Sequence, residues 1–247
     1  MTKQRETRER VLELIEPLEV GDSIPSERQL SVDLSVSRLT VRAALEELVR
    51  EGYLVRRRGA GTFVAEPKVA KGIDIASFSD DMRAMGLKPG SRTIDLREIP
   101  AGARLGRILH VSPAEQIFSI KRLRLADNEP MAIELLHVRA SLVRGLTAAD
   151  LEENSFYDLL ASRYGISIVG GTQTVEPTVT NDEESTALGV PLHSPALLFE
   201  RVTRSSAGDV VEYTSSTYRG DRYRLVTEIG VGGKPLQPLA LTGLDRF

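Results

Sequence analysis

The hydrophobic pattern of the first 65 residues changes from helical spacing to strand-like alternation, and this change constrains the fold more than any other feature. Over Thr7–Leu18 the apolar residues recur at i, i+3, i+4 and i+7, which predicts an amphipathic helix. Ser26 predicts the start of a short second helix, where Gln29 is placed to complete a capping box. A third apolar stripe predicts a helix over residues 37–51 that ends at Gly52.

Alternation of apolar and polar residues follows that glycine. It runs over Tyr53–Arg56 and again over Thr62–Ala65, and the intervening Gly59-Ala60-Gly61 predicts a β-hairpin with a glycine-rich tip. Three helices followed by such a hairpin predict a winged helix-turn-helix over residues 1–65, with the arginines of residues 56–58 on the wing.

The polar face of the third predicted helix has the chemistry of a DNA-reading surface. Arg38 and Arg42 are four residues apart and share a face, with Ser37 and Thr40 beside them in the first turn. Arginine bonds guanine O6 and N7 in a fork, and hydroxyl groups hold phosphates. This helix is therefore predicted to enter the major groove.

Net charge by itself argues the other way. The chain has 247 residues with 32 Lys and Arg against 35 Asp and Glu, a net charge of −3 that disfavours a nucleic-acid binder. The basic excess is local, because residues 36–58 carry six arginines and three acidic residues, whereas residues 1–35 carry five basic and eight acidic residues. A short arginine-rich segment also suits a solvated face, and only its position on the predicted helix and wing favours DNA contact.

Four segments of this region carry a family resemblance: Pro25–Arg28, Ser37–Leu45, Glu51-Gly52 and Gly59–Val64. They resemble the DNA-binding domain of GntR-family bacterial transcription regulators. The resemblance implies operator contacts by these helix and wing residues: Arg28, Ser37, Arg38, Thr40, Arg42 and Arg58. It also implies that Gly59 and Gly61 let the wing tip approach the minor groove. Ser35 departs from the family, which often has glycine in the turn, and Ala60 replaces the Lys or Arg often found between the wing glycines.

A Pro- and Gly-containing stretch, residues 66–72, predicts a linker, so residues 73–247 form the second domain. Strand-like runs occupy Arg92–Ile99, Ile117–Ala126, Met131–Val138, Val169–Val179, Ala196–Ser206, Val210–Arg219 and Tyr223–Ile229. Helices are predicted over Phe78–Met85, Phe156–Tyr164 and Asp182–Leu188. The pattern predicts an α+β domain, an antiparallel sheet with helices packed on it.

The densest chemical signal in this domain is the hairpin predicted over residues 120–134. Arg122 and Arg124 alternate with leucines, so both leave the same face of a strand, and Glu134 on the returning strand lies near them. A solvated sheet face with paired charges fits the same spacing, and both interpretations stay open. Three acidic groups lie near predicted helix starts, where negative charge suits the dipole, and are interpreted as structural: Asp80-Asp81, Glu152-Glu153 and Asp182-Glu183-Glu184.

This hairpin resembles the effector-binding (UTRA) domain of HutC-subfamily GntR regulators, whose fold is similar to that of chorismate lyase. Residues 76–83, 86–90, 154–158 and 218–223 resemble the NagR/DasR type, which senses phosphorylated amino sugars. The resemblance implies that a phosphate is held by Ser77, Arg122, Arg124 and Ser155. Phe78, where the next helix begins, is assigned to the same effector site. It implies that the sugar and its amino or acetamido group face Glu134, Tyr157, Glu212 and Tyr218. Because the Arg-x-Arg hairpin resembles the whole subfamily, a different small-molecule effector is the alternative.

An enzyme is the competing class, since a similar fold hosts catalysis. The chain has no HExxH, GxSxG or P-loop motif and no cysteine, and its three histidines are far apart, so we expect no catalytic site, metal or cofactor. A module that binds nucleic acid without sensing a ligand leaves the second domain unexplained. We expect a cytoplasmic homodimer without a membrane segment, acting as a repressor on a palindromic double-stranded operator and released by a sugar phosphate such as GlcNAc-6-phosphate or glucosamine-6-phosphate.

Overall fold

The computed structural model describes residues 3–57, 59–66, 68–71 and 76–226. The described residues form two compact units. One comprises the described residues up to Ala70 together with residues 220–226, and the other comprises the described residues of Lys71–Arg219. No helix in the described part of the chain is long and apolar enough to cross a membrane.

The first unit contains three helices and a hairpin, as the sequence predicts. The helices are α1 (Lys3–Ile15), α2 (Glu27–Asp33) and α3 (Arg38–Glu51), and the hairpin strands are β1 (Leu54–Arg57) and β2 (Gly61–Val64). Strand β3 (Val69–Lys71) follows, inside the segment that the sequence predicts as linker. The apolar stripes of the three helices meet in one core with the first strand of the hairpin, formed by Val11, Ile15, Leu30, Leu34, Val41, Leu45, Leu48 and Leu54.

Caps and turns fix the helix-turn-helix. The Ser26 hydroxyl accepts from the Gln29 amide, which confirms the predicted cap, but the Gln29 side chain donates to Asp33. The predicted capping box is therefore wrong, because an i,i+4 hydrogen bond along α2 takes the Gln29 amide group. Ser35, in the turn before α3, has φ +53°, the left-handed conformation that glycine adopts more easily. Gly52 ends α3 at φ +85°.

The second unit is an antiparallel sheet with helices packed on it. Its elements are α4 (Phe78–Ala84), β4 (Pro89–Pro100), α5 (Gly102–Leu109), β5 (Gln116–Ala126), β6 (Glu129–Arg139), α6 (Ala148–Glu153), α7 (Phe156–Tyr164), β7 (Ile168–Val179), α8 (Asp182–Leu188), β8 (Pro195–Ser205) and β9 (Val210–Arg219). The six long strands form one sheet in the order β4-β5-β6-β9-β8-β7, with every neighbouring pair antiparallel. The predicted α+β class is confirmed.

The two faces of this sheet carry different helices. Ile120 of β5 belongs to a core shared with α6 and α7, whereas Ile117 and Leu123 of the same strand pack with residues of α5 and α8 respectively. Since side chains alternate along a strand, α6 and α7 lie on one face, and α5 and α8 lie on the other. Arg122 and Arg124 have the parity of Ile120 and therefore point to the α6–α7 face.

Besides β3, three elements differ from the sequence prediction. Helices α5 and α6 were not predicted, and the seventh predicted strand is the short β10 (Tyr223–Leu225), which pairs with β3 outside the six-stranded sheet. Residues 227–229 of that prediction lie outside the described residues. Asp80-Asp81 and Asp182–Glu184 do lie in the first turns of α4 and α8. Glu152 and Glu153 end α6, just before α7 begins at Phe156, and Glu152 accepts a hydrogen bond from the Thr93 amide.

Candidate functional site

The beginning of α3 presents the first candidate site. Ser37 caps this helix, and its hydroxyl oxygen lies 3.2 Å from the Thr40 amide nitrogen and 2.8 Å from the Thr40 hydroxyl. Arg38 and Arg42 are exposed on the same helix. The structure thus brings four of the predicted DNA-contacting side chains together on the first two turns of one helix.

A carboxylate already holds one of these arginines. Arg42 donates from Nε and Nη2 to Glu27 Oε2, at 3.1 and 2.9 Å. Arg56 of the wing donates from Nη2 to the other oxygen of Glu27, at 3.2 Å. The hydrogen bond from Arg42 is the main cause that lowers the pKa of Glu27; burial opposes it, and the charges of Arg42 and Arg56 add to the lowering. The contact joins α2, α3 and the wing through one acidic residue that sequence reasoning did not single out.

The remaining predicted DNA-contacting residues lie on α2 and the wing. Arg28 is exposed in the first turn of α2. Gly59 and Gly61 have φ +76° and +126° at the hairpin tip, a backbone conformation that side-chain-bearing residues rarely adopt. Arg57 places its guanidinium 4.7 Å from the centroid of the Phe63 ring, across the hairpin. Arg58 lies outside the described residues.

A second candidate site is a cavity of about 40 Å³ on the α6–α7 face of the large sheet. It is lined by Ser77, Phe78, Arg122, Arg124, Glu134, Phe156, Tyr157, Gln173, Phe199, Arg201, Glu212, Thr214, Ser216 and Tyr218. Eight of the nine residues that the sequence assigns to effector binding are among them. The ninth, Ser155, lies behind the lining and donates a hydrogen bond to the Ser77 hydroxyl at 3.2 Å.

Arg122 and Glu134 form a buried ion pair across the β5–β6 hairpin. They are directly opposite in the strand register, and Arg122 donates to Glu134 Oε1 from Nε at 2.8 Å and also from Nη2. Their exposed fractions are 3% and 8%, so the alternative of a solvated sheet face is wrong. Burial would raise the pKa of Glu134, but the charges of Arg122 and Arg124 outweigh it and lower that pKa. Nη1 of Arg122 is buried without a hydrogen-bond partner.

Among the residues that the structure describes, no carboxylate forms an ion pair with Arg124. It donates to the hydroxyls of Ser91 and Ser79 at 3.2 and 3.3 Å, and its guanidinium lies 4.5 Å from the centroid of the Phe78 ring. Burial, with the charge of Arg122, lowers the pKa of Arg124 to about 10. Arg124 remains a cation at neutral pH, and its Nε is a buried donor without a partner. These contacts leave unneutralised positive charge next to the cavity.

Glu212 also lines the cavity and accepts one short hydrogen bond. Tyr157 donates its hydroxyl to Glu212 Oε1 at 2.6 Å, while Oε2 is buried without a partner. Burial is the main cause that raises the pKa of Glu212 to about 7, with a further contribution from the charge of Glu134. Arg201 lies beside this pair, donating to the Tyr157 hydroxyl at 3.4 Å and from two nitrogens to Gln173 Oε1 at 2.8 and 2.7 Å.

Two helices begin beside the cavity. Ser77 caps α4 by accepting from the Asp80 amide, and Ser155 caps α7 by accepting from the Asp158 amide. The hydrogen bond between the two serine hydroxyls joins the two helix starts. Helix N-termini carry partial positive charge, so both starts add to the positive character of the lining.

Six lining residues were not predicted: Phe156, Gln173, Phe199, Arg201, Thr214 and Ser216. A signal existed for two of them, because Glu212, Thr214, Ser216 and Tyr218 alternate along β9 and must share a face. No local signal identifies Arg201. The alternation of residues along β8 does not show which of its two faces lies on the same side of the sheet as the arginines of β5.

Comparison with known proteins finds two family models that match the chain. Residues 3–64 match the family model described as bacterial regulatory proteins, gntR family, and residues 84–224 match the UTRA domain model. The HTH-type transcriptional repressor NagR of Bacillus subtilis (strain 168) is 39% identical over 204 residues, which cover 82% of this chain and 84% of NagR. A histidine utilization repressor of Pseudomonas putida is 30% identical over 203 residues, covering 82% of this chain and 81% of that protein.

Solved structures give the same fold. The crystal structure of PhnF from Mycobacterium smegmatis superimposes with a TM-score of 0.64 at 26% identity, covering 91% of this chain and 99% of that one. The winged unit, the six-stranded sheet and both family matches lead to one assignment. The chain belongs to the GntR family of DNA-binding transcription regulators and, through its UTRA domain, to the HutC subfamily.

Proposed function

We propose that the chain is a homodimeric repressor, released from a palindromic operator by a phosphorylated amino sugar bound in the cavity of the second unit. The observation that carries the ligand assignment is the pair Arg122 and Arg124, buried side by side with guanidinium N–H groups that have no acceptor. Buried donors without acceptors are costly, and a phosphate oxygen is the strongest acceptor that a guanidinium can receive.

The charge of the lining supports an anionic ligand. The lining contains three arginines, Arg122, Arg124 and Arg201, but only two carboxyl groups, those of Glu134 and Glu212. The raised pKa of Glu212 keeps its carboxyl group partly protonated near neutral pH. Phosphate bound between the two β5 arginines and the Ser77 hydroxyl would neutralise this excess.

The rest of the lining suits a polyol. Glu134 and Glu212 accept hydrogen bonds from hydroxyl or amino groups, and tyrosine and threonine hydroxyls both donate and accept. Phe78, Phe156 and Phe199 supply apolar surface for the sugar ring. NagR, the relative at 39% identity, is a repressor, and the resemblance to the NagR/DasR type favours GlcNAc-6-phosphate or glucosamine-6-phosphate.

For the winged unit, we propose that Arg28, Ser37, Arg38, Thr40 and Arg42 contact the operator, with Gly59 and Gly61 at the minor groove. This assignment is supported by the exposure of Arg28, Ser37, Arg38 and Arg42 and by the partial exposure of Thr40. Residues 66–72 are proposed as the segment that connects the two functions.

A ligand screen with matched variants tests the effector. Thermal unfolding of the full chain is measured with GlcNAc-6-phosphate, glucosamine-6-phosphate, the two unphosphorylated sugars and inorganic phosphate. Binding to the native state at 100 times its Kd contributes about 2.7 kcal/mol, so stabilisation is expected from the phosphorylated sugars. Arg124→Ala should abolish that stabilisation, whereas Arg163→Ala, an exposed arginine outside the cavity, should retain it.

Operator release completes the test. A phosphorylated amino sugar should lower the operator affinity of the wild-type chain and of Arg163→Ala, and leave the affinity of Arg124→Ala unchanged. Stabilisation by neither sugar phosphate would overturn the amino-sugar assignment and return the question to other effectors of the subfamily. A response retained by Arg124→Ala would overturn the phosphate site.

A further inference from the structure

Leu39, the second residue of α3, is an apolar side chain that faces solvent. Its exposed fraction is 74%, whereas Val41, Leu45 and Leu48 of the same helix are almost completely buried. Single exposed apolar residues are common on protein surfaces, so exposure alone does not assign a role. The position of Leu39 on the helix indicates a role.

Helical geometry places Leu39 at the centre of the outward face. Successive residues of an α-helix are rotated by about 100°, so the buried residues of α3 form a stripe whose centre lies about 170° from Leu39. Arg38 and Thr40 lie about 100° to either side of it. Leu39 therefore projects farthest from the core, between two side chains with DNA-contacting chemistry.

The neighbours of Leu39 leave room for close approach. One turn along α3 the residue on the same side is Ala43, whose methyl group does not shield the leucine. Arg42, three residues along, is drawn to Glu27 on α2 by two hydrogen bonds. A surface that met the start of this helix would thus touch Leu39 first.

The recognition helix of a helix-turn-helix places its N-terminal residues against base edges in the major groove. Only thymine presents an apolar group there, its C5 methyl. We propose that Leu39 is a specificity-determining residue that packs on a thymine methyl group of the operator. This inference rests on the assignment of α3 as the DNA-reading helix.

Replacement of single thymines by deoxyuridine tests the contact, because it removes the methyl group and leaves base pairing intact. An operator is first selected from random duplexes with the wild-type full chain, and each thymine is then replaced in turn. The wild-type chain should lose affinity about fourfold at the contacted thymine, because the burial of one methyl group is lost. Leu39→Ala should bind the thymine and deoxyuridine operators equally at that position.

Leu192→Ala is the matched control, since Leu192 is also exposed, at 51%, but lies in the second unit. It should retain the fourfold loss. The role of Leu39 alone would be overturned if no deoxyuridine replacement lowered the affinity of the wild-type chain, or if the loss of affinity persisted in Leu39→Ala. A wild-type chain that enriches no sequence would overturn the assignment of α3 itself. A change in sedimentation of Leu39→Ala without DNA would show that Leu39 joins two copies of the chain, and would also overturn the proposal.

Discussion

The buried carboxyl of Glu212 should make the stability of the second unit depend on pH in a direction opposite to that of an ordinary ion-paired acid. Its pKa is raised from an ordinary value near 4.5 to about 7, mainly by burial, and its exposed fraction is 1%. A group whose folded-state pKa is raised binds more protons in the folded state between the two values. Its contribution is therefore fully present below about pH 4.5 and is lost as the pH rises through 7.

The size of the effect follows from the two pKa values. At about 1.4 kcal/mol for each pH unit of difference, the loss is about 3 kcal/mol in all, most of it between pH 5 and pH 7. The Glu212 carboxyl is surrounded by Arg201, Tyr157, Glu134 and Arg122. The pKa of about 7 already includes the effect of these neighbours.

Glu212→Gln isolates this contribution, because the amide oxygen still accepts the hydrogen bond from the Tyr157 hydroxyl but does not titrate. Free energies of unfolding in urea are measured by circular dichroism for both proteins at pH 5, 6, 7 and 8. The wild-type value minus the variant value should fall by about 2–3 kcal/mol from pH 5 to pH 8. A difference that stays constant across this range would refute the reasoning, since Glu212 would then titrate alike in the folded and unfolded chains.

Three further predictions concern single contacts. Arg38→Ala should weaken operator binding by about 1–3 kcal/mol at fixed salt if Arg38 reads a base in a fork, and an unchanged band-shift Kd would contradict that role. Glu134→Gln leaves Arg122 buried without its counter-charge and should lower the free energy of unfolding by about 3–5 kcal/mol, measured in urea; a loss under 1 kcal/mol would argue against a strong buried pair. Ser35→Gly relieves the positive φ of Ser35 and should stabilise the first unit by about 0.5–1 kcal/mol in thermal unfolding, whereas destabilisation would contradict a strained turn.

Local sequence patterns predict those parts of the fold in which the contacting residues are close together in the sequence. Arg122 and Glu134 were placed together because a two-residue turn, Asp127-Asn128, joins their strands and fixes the register between them. Both turn residues have positive φ, the conformation of a tight hairpin turn. The winged unit was equally predictable from the sequence, because the spacing of its apolar residues changes from helical to strand-like at Gly52.

Contacts between distant strands were not predictable in the same way. Arg201 reaches the cavity only because β8 lies next to β9 and β9 pairs with β6, an order that no local pattern encodes. Helix α5 was missed because it begins with Gly102 and contains Gly106, and glycine is a poor helix former. Its stability comes from packing Leu109 against Ile117 and Val210 of the sheet, a tertiary contact.

The dimensions of the cavity bear on how ligand binding would act on the rest of the molecule. A volume of about 40 Å³ admits a few water molecules, whereas small-molecule sites measure roughly 300 Å³ or more. The proposed sugar phosphate would therefore have to displace parts of the lining. The starts of α4 and α7 are held together by the hydrogen bond between Ser77 and Ser155, and a phosphate that takes hydrogen bonds from these hydroxyls would break that contact. Such a ligand would bind an arrangement with the two helix starts apart in preference to the one described here, and a difference in affinity of this kind is what coupling to a second site requires.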